Sequence, residues 1–587
     1  MSSLPEWDLT DLYPAPDAPE VTADLAEAER QAKDFAARFR GKVAGMDGAT
    51  LAGAIAAYEA MQERLGRLGS YAQLLFSGDA TDTEIGRFYQ MMQERATDIS
   101  SHTLFFTLEI NKIDERALDE KMKVPALARY RPWLRDLRVF RPHQLEEELE
   151  RLLHDQDIAG RGAWVRLFDE TMARLRFPVD GETLTGSEVL NRLSDPSPGR
   201  RKAAAKSIGK VLGDNGALLA RITNTLAKDK EIQDRWRHYP KATSYRNLAN
   251  QVEDEVVDAL VEAVRGAYSD LSHRYYALKA KWMGVDRLDY WDRNAPLPDQ
   301  DDRDIPWDEA RERVLDAYAG FSGDLAAVGR RFFDNPWIDV PPRPGKASGA
   351  FAHPTVPSAH PYLLLNYHGK TRDVMTLAHE LGHGVHQVLA AEQGYFLSST
   401  PLTLAETASV FGEMLTFQSL LREEKDEKRR RVMLATKIED MINTVVRQIA
   451  FYQFERSVHA ERREKGELSP DRLGELWMQV QSESLGPALR FDDEYRSYWG
   501  YIPHFIHSPF YVYAYAFGDC LVNSLYDLFR DGHPDFQRKY LEMLKAGGTL
   551  HHKELLAPFG LDASEKAFWR RGLGVISGFI DELEATF

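Results

Sequence analysis

The sequence predicts a mainly α fold, with one short β segment placed just before a histidine-bearing helix. Three observations carry this. Long stretches rich in Ala, Glu, Leu and Arg repeat their apolar residues at three and four, the spacing of a single helix face. Only one run, P-Y-L-L-L-N-Y from Pro361, is both apolar and β-prone immediately ahead of such a stretch. No internal repeat and no flexible linker interrupts the chain, which argues against a solenoid and against loosely tethered domains.

The bulk properties narrow the function. The 587 residues are 43% hydrophobic and 28% charged, the balance of a globular protein large enough to bury an extensive core. A formal net charge of −17 argues against nucleic-acid binding, which needs clustered Lys and Arg to neutralise phosphates. Cys520 is the single cysteine, so neither an intrachain disulfide nor a cysteine-rich zinc site can form. No apolar run reaches bilayer length, and the opening M-S-S-L-P-E-W lacks the basic and apolar regions of a signal peptide. The expected address is the cytoplasm, with no membrane partner.

Taken in order, Val21 to Phe39, Thr50 to Gln73 and Thr83 to Glu109 read as helices, with Met91 and Met92 packing between them. Arg141 to Leu153 continues in the same manner. F-P-V-D-G-E-T-L-T, from Phe177 to Thr185, reads as strand, turn and strand. Helices resume over Arg200 to Ile208 and Gly216 to Ile232. The Pro- and Asp-rich stretches Asp292 to Pro306 and Asp334 to Gly349 read as surface loops. From Glu406 onward the chain is helical again. The expected division is a helical region over 1–195 and a region carrying the chemistry over 196–587, closely packed.

The chemistry centres on D-V-M-T-L-A-H-E-L-G-H-G-V-H-Q-V-L, residues 373–389. Val374, Leu377, Leu381, Val385 and Val388 recur at helical spacing, so His379 and His383 lie one turn apart on one face. Two imidazoles so placed can share one metal ion, with Glu380 beside them to hold a water. A catalytic zinc site takes three protein ligands and keeps one position open. The third is expected downstream in L-A-E-T-A-S-V-F-G-E, at Glu406, with Glu413 further along the same helical face and able to orient a ligand. His386 shares the face of His383 and is expected to touch substrate, support the ligands or simply pack. Two histidines and a carboxylate suit Zn²⁺ better than Mg²⁺ or Ca²⁺, which prefer all-oxygen shells. A strand beside such a helix can take a peptide as an added strand.

These segments together resemble the zinc oligopeptidases of the thimet oligopeptidase and oligoendopeptidase F group. H-E-L-G-H-G-V-H and L-A-E-T-A-S-V-F-G-E carry the resemblance to the whole group. W-D-L-T-D-L-Y, S-G-A-F, P-Y-L-L-L-N-Y and P-H-F-I-H-S-P-F-Y-V-Y-A-Y are similar to the oligoendopeptidase F branch, so the likeness runs from Trp7 to Tyr515. It implies a large bilobed helical metallopeptidase with a deep substrate channel, a small β-sheet beside the H-E-x-x-H helix, one zinc per chain, and cleavage of short peptides. It also points to one His and one Tyr as donors to the oxyanion, matched here to His504 and Tyr513. His507, Tyr511 and Tyr515 stand in the same segment, and Tyr511 or Tyr515 can take the tyrosine role instead.

The expected reaction is hydrolysis of internal bonds of oligopeptides through a zinc-bound water with Glu380 as general base. Two alternatives are carried. One is a zinc dipeptidyl carboxypeptidase, which needs a fixed basic group for the terminal carboxylate. The other is a non-catalytic helical peptide-binding scaffold, against which Glu380 argues, since a structural metal needs no base. Oligomeric state and subsite preference are not readable from these residues.

Overall fold

The computed structural model describes residues 4–299 and 303–587. Residues 300–302 of the expected Asp292–Pro306 loop, and the first three of the opening stretch, lie outside the described residues. Helices dominate, as the periodicity predicts. The first is Pro19–Phe39, with proline at its start, where the missing N–H costs nothing. Gly48–Gly78 begins at Asp47, whose carboxylate accepts the Thr50 N–H. The stretch expected as one helix over 83–109 is two, Thr83–Ser101 and Leu104–Lys112. At the break the Thr103 hydroxyl turns back onto the Ser100 carbonyl at 3.0 Å, a local bond that competes with the helical one. Met92 is buried there and Met91 is exposed.

The chain folds into two compact units, each assembled from three segments. One comprises Met1–Arg141, Asp302–Glu423 and Leu528–Leu561. The other comprises Pro142–Asp301, Glu424–Asp527 and Asp562–Phe587. The sequence-based boundary at 195 therefore falls inside the second unit. The histidine-bearing helix belongs to the first unit and the His504–Tyr515 segment to the second.

In the first unit a three-stranded sheet stands beside the histidine-bearing helix, Thr371–Ala390. Its central strand, Tyr362–Leu364, is the one expected from P-Y-L-L-L-N-Y. It pairs parallel with Ile338–Asp339 and antiparallel with Phe351–His353, in the register Ala352 opposite Leu363. The expected surface loop over Asp334–Gly349 is corrected by this sheet. Ile338, Asp339 and Val340 are buried, and the Asp339 carboxylate accepts from Arg343 at 2.7 Å and from Lys346 at 2.5 Å. A two-residue strand flanked by prolines leaves no periodicity to read, and its buried charge is satisfied only by residues that follow it.

Thr371–Ala390 packs on Ser409–Glu423 at very short range. A Cβ at Gly382 would sit 2.5 Å from the Ala408 carbonyl oxygen and 2.6 Å from the Ser409 Cα. Glycine between His379 and His383 thus lets the backbone that follows Glu406 approach the helix. A Cβ at Gly412 would meet the Tyr318 hydroxyl at 2.1 Å. That hydroxyl donates to the Ala378 carbonyl at 2.6 Å, fixing the turn that precedes His379.

The second unit contains the predicted hairpin, Phe177–Val179 paired with Glu182–Leu184, and the helices Val446–Lys465 and Tyr513–Arg530. Glu455 lies fully inside it. Its Oε1 accepts the N–H of Phe510 at 2.8 Å, a residue held in the left-handed region with φ of 61°. Burial pushes the Glu455 carboxyl up to about 8, against the opposing pull of the Phe510 N–H and the Arg246 charge. The native state therefore keeps a proton that the unfolded chain has lost. This contribution is fully present below about pH 4.5 and is lost as pH rises through about 8, on the order of a few kcal/mol in total. Glu455→Gln is expected to flatten that slope, checked by urea unfolding between pH 5 and pH 9.

Candidate active site

His379 and His383 come together as the helical spacing requires, with ring centroids 5.0 Å apart. The short helix Leu402–Ala405 ends at Glu406, which turns its carboxylate onto both. Glu406 Oε2 lies 3.3 Å from His379 Nε2 and 3.4 Å from His383 Nε2. A tetrahedral shell with bonds of about 2.0–2.1 Å separates its donors by about 3.3–3.4 Å, so the three atoms stand where one zinc ion would hold them. Among the described residues these are the only three histidine, cysteine or acidic side chains whose ligand atoms lie within 4.8 Å of one another.

Two further groups set the donors. Glu413 Oε2 accepts from His379 Nδ1 at 3.1 Å, which fixes the tautomer and leaves Nε2 free to ligate. The Ser409 hydroxyl, wholly buried, donates to Glu406 Oε2 at 2.6 Å. Burial works against ionisation of Glu406, yet hydrogen bonds from His379 and His383 hold its carboxyl well below the usual range. The site thus presents an anionic oxygen and two imidazole nitrogens to a cation.

Glu380 is 8% exposed and is not one of the three converging donors. Burial raises its carboxyl above the ordinary value, opposed by the two imidazoles and by a backbone hydrogen bond from Ala352 on the edge strand. A carboxylate so raised is a stronger base than an exposed one. His386 is also buried, and burial with the neighbouring His383 pushes its pKa down to about 4, so it is neutral near pH 7. It lines a cavity of about 640 Å³ together with His383, Gln387, Tyr395, Phe396 and Trp133. Trp133 and Phe396 stack there, centroids 4.8 Å apart.

The second unit holds the histidine–tyrosine segment. His504 Nε2 lies 3.3 Å from the Tyr515 hydroxyl, and Tyr511 packs edge-on against Tyr515 with centroids 5.1 Å apart. Burial, with the charge of Arg447 and then His507, lowers the pKa of His504. His507 turns outward to Asp169, Nε2 to Oδ1 2.8 Å. The structure does not bring Tyr513 to His504. Its side chain is fully buried, its hydroxyl accepts from Asn250 Nδ2 at 2.9 Å, and its ring packs against Tyr452. Of the three tyrosines it is the one held in the core.

Sequence reasoning passed over Ser409, Tyr318 and Ala352. The first stood in plain view, three residues after Glu406 on the turn that a side-chain oxygen can bridge. The other two act through contacts between segments distant in the chain, which no local pattern announces.

Comparison with known proteins agrees with this geometry. The model of peptidase family M3 matches residues 322–575, which include His379, Glu380, His383, Glu406, Glu413 and the His504–Tyr515 segment, and the oligopeptidase F model matches residues 109–177. Oligopeptidase PepF of Bacillus subtilis is 28% identical over 98% of this chain and 86% of its own length. Group B oligopeptidase PepB of Streptococcus agalactiae is 28% identical over 99% of this chain and 96% of its own. The crystal structure of oligoendopeptidase-F from Enterococcus faecium superposes with a TM-score of 0.73 at 23% identity, covering 97% of this chain and 98% of that one. The fold, the two models and the full-length relatives place the chain in peptidase family M3, within its oligopeptidase F branch.

Proposed function

We propose that the protein is a zinc-dependent endopeptidase that cleaves internal bonds of short oligopeptides, with one zinc per chain held by His379, His383 and Glu406. The observation that carries this reading is the donor spacing at that triad with Glu380 one residue along the same helix. Zinc, when bound, supplies a water acidic enough to ionise near neutral pH and a Lewis acid for the scissile carbonyl. Glu380 takes the proton of the attacking water and returns it to the leaving amine. Glu413 and Ser409 keep the ligands oriented. No helix among the described residues is long and apolar enough to cross a membrane, and the cytoplasmic address expected from the sequence remains part of this proposal.

The donor to the oxyanion is proposed from the family resemblance as His504 with one tyrosine of its segment; with Tyr513 held in the core, that leaves Tyr515, 3.3 Å from His504, or Tyr511. A single such donor is typically worth about 3 kcal/mol of barrier. Tyr515→Phe is expected to lower kcat about a hundredfold with little change in KM. Tyr513→Phe is expected to lower thermal stability, by about 1 kcal/mol, and to spare kcat. Steady-state kinetics and thermal unfolding on the two variants separate the roles.

Endo-action is tested with a peptide of about ten residues blocked at both ends, with and without chelator, its products read by mass spectrometry. Chelator-sensitive internal cuts are expected. A blocked peptide left intact while its free-ended counterpart loses C-terminal dipeptides would replace the endopeptidase by the exopeptidase.

A further inference from the structure

No single element fixes the spacing of the three converging donors. His379 and His383 stand on the helix Thr371–Ala390, whereas Glu406 belongs to the turn that follows Leu402–Ala405. Yet Glu406 Oε2 is held 3.3 Å and 3.4 Å from the two imidazoles. Donors on separate segments keep such a spacing only where the surrounding structure fixes their backbones.

Two buried tyrosines reach the backbone on either side of this gap. Tyr318, on the helix Trp307–Phe321, donates its hydroxyl to the Ala378 carbonyl at 2.6 Å, one residue before His379. Tyr540, on the helix Phe536–Lys545, donates to the Thr407 carbonyl at 2.7 Å, one residue after Glu406. All of these helices belong to the first unit. A buried hydroxyl needs an acceptor, and many carbonyls would serve. What sets this pair apart is that both acceptors adjoin a metal donor, and that the two donors lie on different segments.

The rings are held as well as the hydroxyls. Tyr540 packs against Phe411 and Phe321, with centroids 4.5 and 5.4 Å apart. Phe321 shares the helix of Tyr318, and Phe411 lies in Ser409–Glu423, just after the turn that bears Glu406. The Tyr318 hydroxyl lies over Gly412, where any Cβ would displace it. It is also close enough to Glu413, the carboxylate that orients His379, to feel its charge. Burial raises the pKa of both hydroxyls above the ordinary tyrosine value, so each stays a neutral donor.

We propose that Tyr318 and Tyr540 are positioning residues for the metal: as a pair they clamp the backbone at Ala378 and Thr407, and so set His379 against Glu406. This rests on the zinc reading above and deepens it, since neither tyrosine is itself a ligand.

The test measures zinc affinity of the full chain by competition with a chromogenic chelator, and thermal unfolding of the same chelator-stripped preparations. Tyr318→Phe and Tyr540→Phe are each expected to weaken zinc binding about tenfold. Tyr498→Phe serves as the control. It removes an equally buried hydroxyl bond, to the Ala205 carbonyl at 2.9 Å in the second unit. It is expected to lower the unfolding temperature of the stripped protein and leave zinc affinity at the wild-type value. Cobalt(II) in place of zinc gives a second readout. A displaced donor set alters the visible absorption of the bound ion, whereas a purely structural role leaves the band as in wild type. Should Tyr318→Phe fail to fold, Tyr540→Phe carries the test alone, because it acts from a different helix. Zinc affinity no weaker than that of Tyr498→Phe, with an unchanged cobalt band, would overturn the clamp. Wild-type protein that binds neither ion would instead overturn the zinc reading on which the clamp rests.

Discussion

Glu380→Gln is expected to retain zinc and fold while losing turnover by at least about a thousandfold. The substitution preserves shape and hydrogen-bonding capacity but removes the base. General acid–base groups contribute about 10²–10⁴ in rate, and Glu380 is assigned both transfers, from the water and to the leaving amine. Its surroundings bear on the role: burial raises the carboxyl above its ordinary value, opposed by the two imidazoles and the Ala352 N–H. Because Glu380 is not one of the three converging donors, metal content should stay at the wild-type level. Metal analysis and single-turnover kinetics on the same preparation check both halves. Undiminished turnover would assign the base elsewhere.

Glu406→Gln should do the reverse, losing the metal first and the activity as a consequence. The carboxylate is the one anionic donor of the triad, and an amide oxygen is a far weaker zinc ligand. It also accepts the Ser409 hydroxyl at 2.6 Å, so the geometry of the turn is tuned to an ionised oxygen. Zinc affinity is expected to fall by several orders of magnitude at neutral pH, read by competition with a chromogenic chelator. Glu413→Gln is expected to be milder, about 10- to 100-fold in affinity, since it orients His379 without ligating. The Glu406 variant should unfold at nearly the temperature of the chelator-stripped wild type, because the protein loses the same bound ion in both.

Much of this was legible in the sequence, for reasons that differ from residue to residue. His379, Glu380 and His383 could be placed because helical geometry alone decides their mutual position. Glu406 and Glu413 followed from the need for a third donor and from spacing along the next helical stretch. The tyrosine could not be chosen in the same way. Residues two apart on a helix point to nearly opposite faces, so Tyr513 and Tyr515 cannot serve alike. Which one meets His504 depends on how the turn at Phe510, with its left-handed backbone, delivers the chain into the helix beginning at Tyr513. The strand Ile338–Asp339 was hidden because two residues carry no period. The two units were hidden because each gathers segments from three parts of the chain, and contacts of that range leave no local mark.

The measurement that bears most directly on the central claim is a titration of chelator-stripped protein with zinc, following bound metal and cleavage of an end-blocked peptide together. A single zinc at His379, His383 and Glu406 predicts that activity rises in proportion to bound metal and stops at one ion per chain. Activity in the stripped protein, or full occupancy at one ion without cleavage, would contradict it.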